Sequence, residues 1–234
     1  MLGIICGMAS EARALGRWAE DGLVRIGISG AVPERAEAEA RRLVEAGCRL
    51  LMSWGVAGGL DPEARPGDVV IPSAVVDEGG GCWPFSPELG AAVAAAMPGP
   101  FRWEDHGQGR CVLGLDRLVA SPQDKQALFA LTGALTVDME THRVARVAAD
   151  RRVPMLALRA VGDPLEGRLP ALVERVLGED GEPRLGQVAL GLMERPWDFA
   201  PLMRLKRETD AALEALGRAA ERVIQRVVEA VNGS

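Results

Sequence analysis

The feature that most constrains the fold is a repeated alternation between short apolar segments and amphipathic helical segments. Residues 2–6 form a continuous apolar run, which predicts a buried strand, and a helix is expected over residues 10–19. A second strand is predicted over residues 23–29, and Pro33 then opens a helix that Gly47 ends. Strands that alternate with helices predict an α/β fold, here a three-layer α/β/α sandwich with a mixed central sheet.

The same alternation continues towards the C-terminus. Further strands are predicted at residues 50–54, 68–72, 111–113, 118–120, 135–138 and 154–161, and a glycine-rich turn is predicted at 55–59. Further helices are predicted at residues 86–97, from Pro122 onwards, at 139–150 and at 206–231. No Ser-rich, Pro-rich or single-sign charge run divides the 234 residues, so one domain over residues 1–234 is expected.

Composition and charge exclude several classes of protein. The net charge of −6 argues against a nucleic-acid-binding surface, which needs a basic face to meet phosphates. Without a basic leader or an apolar run of about 20 residues, a cytoplasmic location is expected. The four cysteines form no CxxC pair, and His106 and His142 do not combine with them at ligand spacing, so reduced thiols and no metal site are predicted.

Distinctive polar side chains fall where predicted strands end. They are Glu11, Ser53, Glu140 and Asp163, and the glycine-rich segment 55–59 lies beside them in the same pattern. In α/β sheets, ligands bind beyond the carboxyl ends of the strands. The sequence therefore predicts a ligand site at this edge of the sheet.

Four groups of residues carry a resemblance to a known family. They are Gly7-Met-Ala-Ser-Glu11, Ser53-Trp-Gly-Val-Ala-Gly-Gly-Leu60 with Pro66-Gly-Asp-Val-Val-Ile-Pro72, Val137-Asp-Met-Glu-Thr141 and Arg159-Ala-Val-Gly-Asp163. In this order and spacing, residues 1–165 resemble the nucleoside phosphorylase/nucleosidase superfamily, including its methylthioadenosine/adenosylhomocysteine nucleosidases. The resemblance implies cleavage of the bond between a purine base and a ribose, with a small purine nucleoside as the binding partner.

The resemblance also implies roles for the acidic residues. Asp163 would protonate N7 of the purine, which needs a carboxyl group whose pKa is raised by burial. Glu140 would bind the ribose hydroxyls, with Met139 packing beneath the sugar, and Glu11 would orient or deprotonate the attacking water. Ser53 is predicted to lie among the substrate-binding residues. Read without the resemblance, Glu11 and Glu140 would be partners of helix dipoles, and Asp163 before a proline would be a turn residue.

Other positions are assigned by the same resemblance. Ala57 and Gly58 would line the ribose and nucleophile region with backbone groups, and Leu118 and Val119 would pack against the base. The family often has an aromatic residue where this chain has Leu118, which leaves the identity of the base open. Gly162 replaces a serine that is common before the catalytic acid, which predicts that a supporting hydrogen bond to the acid is missing.

The nucleophile is open between water and phosphate. Phosphorylases of the superfamily commonly have an arginine in a Gly-Asp-Pro-x-Arg segment after the first strand, whereas this chain has Glu11 there, as the nucleosidases do. A carboxylate beside phosphate is electrostatically unfavourable. Arg13 and Arg159 remain candidate phosphate ligands, so inorganic phosphate is kept as an alternative co-substrate, and no organic cofactor or metal is expected.

The C-terminal third predicts a more specific substrate. Residues 186–206 combine many large apolar side chains with three basic ones, and the chain as a whole is similar to the hopanoid-associated phosphorylases, which are held to remove adenine from adenosylhopane. The segment would then shelter a lipid tail or touch a membrane surface transiently. The alternatives are an ordinary core helix or a subunit contact, and methylthioadenosine or adenosylhomocysteine as the substrate.

Two other classes of protein were weighed. A dinucleotide-dependent oxidoreductase is excluded because the first turn between strand and helix lacks GxGxxG. A non-catalytic nucleoside-binding module is disfavoured, because simple binding does not need Asp163 as an acid. The resemblance further implies a homo-oligomer.

Overall fold

A computed structural model describes residues 1–97, 111–170 and 192–232, together with positions 173 and 184. Its strands are β1 Leu2–Cys6, β2 Val24–Ile28, β3 Leu50–Gly59, β4 Val69–Val70, β5 Ala74–Asp77, β6 Cys82–Pro84, β7 Cys111–Gly114, β8 Thr136–Asp138 and β9 Met155–Asp163. Its helices are α1 Ala9–Ala14, α2 Pro33–Glu45, α3 Pro87–Ala96, α4 Pro122–Thr132, α5 Thr141–Arg151 and α6 Phe199–Asn232, with 3₁₀ turns at Gly16–Ala19 and Pro196–Asp198.

The strands form one mixed sheet, which confirms the predicted fold class. Its order is β2-β1-β3-β8-β7-β5-β6, and β9 pairs with both β3 and β4. β3 is parallel to β1 and β9 and antiparallel to β8. The long β3 is therefore the central strand, because it pairs with β1, β8 and β9.

Helices cover both faces of the sheet. On one face, β1, β3 and β9 alternate side chains into a core with α6, which contributes Leu216, Ala220 and Val223 among its buried positions. On the other face, alternate residues of the same strands pack against α2 and α5. Because side chains along a strand point alternately to the two faces, one apolar strand can serve both layers.

Local sequence explains where several helices begin and end. Pro33 occupies the first turn of α2, where the missing N–H needs no partner. The Ser121 hydroxyl caps α4 by accepting a hydrogen bond from the Asp124 N–H, and α4 ends at Gly133 in a left-handed conformation.

The structure corrects several details of the sequence prediction. Residues 55–59 do not form a turn but extend β3, and residues 118–120 form no strand. The first helix ends at Ala14, and β5 and β6 were not predicted. Residues 98–110, which include His106, lie outside the described residues.

Candidate active site

Glu11 is fixed at the end of β1 by the backbone around it. Its Oε2 atom accepts hydrogen bonds from the N–H groups of Gly7 (2.7 Å) and Met8 (2.9 Å), and its Oε1 atom accepts one from the Val56 N–H (2.8 Å). A Cβ atom at Gly55 would lie 2.6 Å from Oε1, so the glycine is needed for this approach. The glycines of segment 55–59 therefore lie within a strand, where they leave room for neighbouring side chains.

Burial dominates the electrostatics of Glu11. The side chain is almost completely buried, and this burial raises the pKa of the carboxyl group, although Arg159 and the three backbone N–H groups act in the opposite direction. A carboxylate with a raised pKa is a stronger base than an exposed one. Glu11 is thus suited to accept a proton from a small nucleophile.

A buried ionic network lies next to Glu11. The Arg159 guanidinium is 1% exposed, and it donates to Asp138 Oδ2 (2.5 Å), Ser53 Oγ (2.5 Å) and Thr141 Oγ1 (2.6 Å). Asp138 in turn accepts the N–H groups of Glu140 and Thr141. The predicted site residue Ser53 is fully buried, and its hydroxyl serves this network.

Glu140 connects the network to Glu11. Its Oε2 atom is 3.9 Å from Arg159 Nη2, and a Cβ atom at Gly7 would lie 3.0 Å from Glu140 Oε1 and 3.4 Å from Glu11 Oε2. Burial, with Asp138 as the next largest cause, raises the pKa of Glu140 well above its ordinary value. We call Glu11, Asp138, Glu140 and Arg159 the nucleophile side of the site.

Asp163 is brought to the site by a β-bulge at the end of β9. Ala57 pairs with Val161, but the next residue, Gly58, pairs with Asp163, so Gly162 is the extra residue. A Cβ atom at Gly162 would lie 2.3 Å from Val56 Cγ1, and one at Gly58 would lie 3.4 Å from Asp163 Oδ1. The glycine that replaces the family's serine is therefore required by packing against Val56.

The charge partner of Asp163 is Lys125, which sequence reasoning missed. The Lys125 side chain is fully buried in the first turn of α4, and its ammonium forms an ion pair with Asp163 Oδ2. Burial raises the pKa of Asp163, and Lys125 is the main opposing cause. A single lysine in the polar first turn of a helix has no sequence feature that marks it as a site residue. We call Asp163 and Lys125 the acid side of the site.

The remaining predicted site residues differ in their surroundings. Ala57 and Val119 are buried, whereas Gly58, Leu118 and Met139 are partly exposed. Arg13 is exposed on α1, while the other candidate phosphate ligand, Arg159, is enclosed by the network. Within the described ranges, no cluster of acidic, histidine and cysteine side chains could hold a metal ion.

Large apolar side chains near the start of α6 are exposed. Met193 is 82% exposed and Trp197 66% exposed, and Phe199 and Met203 are also accessible. The next residue, Arg204, donates to the Arg168 carbonyl (3.2 Å) and acts electrostatically on Asp163. The described part of the 186–206 segment is thus not an ordinary core helix, and it adjoins the acid side. No helix in the described ranges is long and apolar enough to cross a membrane.

Comparison with known protein families agrees with the geometry. The family model of the phosphorylase superfamily matches residues 22–182, which is well over half of the chain. The 5′-methylthioadenosine/S-adenosylhomocysteine nucleosidases of Mycobacterium bovis and Mycobacterium tuberculosis are each 28% identical over 152 residues, covering 50% of this chain. The chain spans 60% of the length of these relatives.

Solved structures share the fold. Futalosine hydrolase of Helicobacter pylori matches with a TM-score of 0.67 and 16% identity, covering 98% of this chain and 97% of that one. The 5′-methylthioadenosine/S-adenosylhomocysteine nucleosidase of Neisseria meningitidis, in complex with methylthio-immucillin-A, matches with a TM-score of 0.70 and 15% identity, covering 96% and 98%.

Proposed function

We propose, from the premise that this chain belongs to the phosphorylase superfamily, that it hydrolyses the N-glycosidic bond of a 5′-modified adenosine and releases adenine. One observation carries the proposal. Two positions of β3 that are separated by one residue meet the two proposed catalytic carboxyl groups: the Val56 N–H binds Glu11, and Gly58 lies against Asp163. Two residues of a strand span about 7 Å, which suits groups that act on a base and on a nucleophile across one glycosidic bond.

The reaction follows from this arrangement. Protonated Asp163 gives its proton to N7 of the purine, the C1′–N9 bond breaks, and its electron pair goes to the base. A water molecule attacks C1′ as its proton passes to Glu11, so the products are adenine and the free sugar. The Glu140 carboxyl group binds the ribose hydroxyls and so orients the sugar for attack.

The surroundings of Arg159 favour water over phosphate as the nucleophile. Its guanidinium is enclosed and already donates to Asp138, Ser53 and Thr141. Arg13, the other candidate, is exposed on α1. Glu11 would also repel a phosphate ion.

The experiment that tests the proposal is adenine release from adenosine, methylthioadenosine and adenosylhopane, each with and without phosphate. We expect release in phosphate-free buffer with free sugar as the second product. Release that depends on phosphate and yields ribose-1-phosphate would instead make the enzyme a phosphorylase. Nucleoside binding without release from any of the three would favour a non-catalytic binding module.

The exposed apolar side chains support a substrate with a long hydrocarbon 5′-substituent, such as adenosylhopane. Phe199 and Met203 lie on the same helix as Arg204 and Glu208, which act electrostatically with Asp163, and Met203 directly precedes Arg204. A hydrocarbon 5′-substituent that extends from the ribose near the acid side would contact this apolar surface. The surface would also permit a transient membrane contact. The alternatives are a small 5′-thioether substrate and a contact with a second subunit of a homo-oligomer.

The variant Trp197→Ala separates these alternatives. We expect a larger loss of kcat/KM on adenosylhopane than on methylthioadenosine, because only the former reaches the apolar surface. Equal losses on both substrates would remove the tail-binding proposal, and a change of oligomeric state would favour the subunit contact. The four free cysteines support a cytoplasmic location.

A further inference from the structure

Lys125 is a fully buried lysine beside the site, and no step described so far uses it. Its side chain is 0% exposed, although α4 is a helix of mixed polarity. Lysine is almost never completely buried unless it is paired, because removing an ammonium group from water is unfavourable. A buried lysine therefore needs a reason, either structural or functional.

The contacts of Lys125 converge on the end of β9. Its ammonium pairs with Asp163 Oδ2 and donates to the Pro164 carbonyl (2.8 Å), and the Gly167 carbonyl lies at 3.4 Å. The Asp163 carbonyl lies at 3.5 Å as well, so four oxygens surround an ammonium that has three N–H donors. A side chain at position 162 would clash with Val56, and it is the Lys125 ammonium that contacts the acid.

We propose that Lys125 is a positioning residue that stabilises the Asp163 carboxylate left behind when the proton passes to the purine, and so sets the pH range over which Asp163 works as the acid. The inference rests on the proposed function. It extends that function by naming the group that compensates the charge that forms on Asp163. An anion that forms in a buried site is unfavourable unless a cation is already in place.

The groups around Asp163 agree with this assignment. Burial raises the pKa of Asp163, and Lys125 lowers it through both charge and hydrogen bonding. From α6, Arg204 lowers it further, and Glu208 faces the same cluster with Arg204 and Arg207 beside it. Lys125 is the charged group in direct contact, so its removal should have the largest effect.

A purely structural role predicts something different. If Lys125 only stabilised the turn 163–167 through its carbonyl contacts, its loss would lower the stability of the protein. Activity would then fall by the same factor at every pH. If it sets the acid strength of Asp163, its loss moves the pH profile. The pH dependence of kcat/KM reports the pKa values of the acid and base in the free enzyme, which makes it the decisive readout.

The experiment compares the pH profiles of the wild type, Lys125→Met, Lys125→Gln and Lys125→Arg on the substrate with the highest wild-type turnover. In the uncharged variants we expect the alkaline limb of kcat/KM to move up by about one pH unit or more, since a neighbouring opposite charge lowers the pKa of a carboxyl group by about 1–3 units. We expect the plateau of kcat to fall by about threefold or more, because the acid is weaker, with little change in KM. Lys125→Arg should keep the limb near its wild-type position.

Arg218→Gln is the control, because Arg218 is an exposed cation on α6 that pairs with Glu214 and lies outside the 186–206 segment. It should leave the profile unchanged. An unmoved limb in a folded Lys125→Gln or Lys125→Met enzyme that still turns over would overturn the inference while leaving the proposed function intact.

A titration that needs no turnover keeps the two proposals separate. The Asp163 carboxyl is followed by ¹³C NMR in the wild type and in Lys125→Gln, with Asp163→Asn to assign the signal. A higher pKa of Asp163 in Lys125→Gln supports the inference even if none of the tested substrates is cleaved. An equal or lower pKa contradicts it. If neither uncharged variant folds, the wild-type titration against Lys125→Arg decides, because a charge-setting role predicts nearly equal values in these two.

Discussion

The two sides of the site hold their charges in different ways. On the nucleophile side, Glu11 and Asp138 are fixed by backbone N–H groups, and Arg159 links Asp138 to Ser53 and Thr141. On the acid side, one carboxyl group at a strand end is matched by one ammonium from a distant helix.

The difference follows from what each side must do. Asp138 and Arg159 keep their charges through the proposed reaction, so many fixed partners are an advantage for them. Asp163 becomes an anion when it gives up its proton, and the Lys125 ammonium supplies the opposite charge beside it. The comparison predicts that substitutions on the acid side change catalysis most, and those on the nucleophile side change stability most.

The largest expected effect is that of Asp163→Asn. Losing the general acid should lower kcat/KM by about 10²–10⁴-fold, measured as adenine release at a fixed pH. Unchanged turnover would remove Asp163 from the mechanism. Because Asn leaves the Lys125 ammonium buried without a counter-charge, some loss of stability is expected as well.

The double variant Asp163→Asn with Lys125→Met separates the two effects. It removes both charges, so thermal stability should recover towards that of the wild type while activity stays low. Recovery of both would mean that Asp163 acts only through stability.

The next largest effect is that of Arg159→Met on folding. This change leaves the buried Asp138 carboxylate uncompensated, which should lower the free energy of unfolding by about 3–5 kcal/mol in a denaturant titration. Arg159→Met combined with Asp138→Asn should recover most of that loss. The exposed pair of Arg17 with Glu221 provides the control, and Arg17→Met should change stability far less. An equal effect of the two single changes would contradict the contrast between the buried network and the surface.

The smallest effect expected is that of Glu140→Gln on the pH dependence of stability. Burial and Asp138 raise the pKa of Glu140 in the folded state, so the folded protein holds this proton more tightly than the unfolded chain does. Its contribution to stability is complete below the unfolded pKa of about 4.3 and declines as the pH rises through the folded value. Without this carboxyl group, the variant should gain about 1 kcal/mol or more over the wild type between pH 5 and pH 8, because each pKa unit is worth about 1.4 kcal/mol.

Exposed Glu45 gives the control for this measurement, since Glu45→Gln removes a carboxyl group without changing a buried site. Its stability should follow the wild-type curve across the same range. A Glu140→Gln curve that also follows it would show that Glu140 is not held in a protonated state by burial.

The sequence prediction named Glu11, Glu140 and Arg159 on the nucleophile side and Asp163 on the acid side, but it named neither Asp138 nor Lys125. Glu11 and Glu140 lie in short segments whose spacing places them at strand ends, and Asp163 ends an apolar strand. Lys125 lies 38 residues from Asp163 in the chain, and only tertiary packing brings the two together. Residues 55–59 were misassigned as a turn because glycine is typical of turns, whereas here it makes room for Glu11 and Asp163 within a strand.

The bulge at Gly162 decides which face of the sheet receives the proposed acid. Arg159 and Val161 pair with Gly55 and Ala57, so a regular strand would have sent the side chain of residue 163 to their face, by the odd-and-even rule of a pleated strand. The extra residue, Gly162, shifts the alternation of side chains by one position. Asp163 therefore pairs with Gly58 on the opposite face. A regular strand of the same length would therefore turn Asp163 away from Lys125 and towards Arg159, whereas deleting Gly162 would leave Asp163 opposite Gly58.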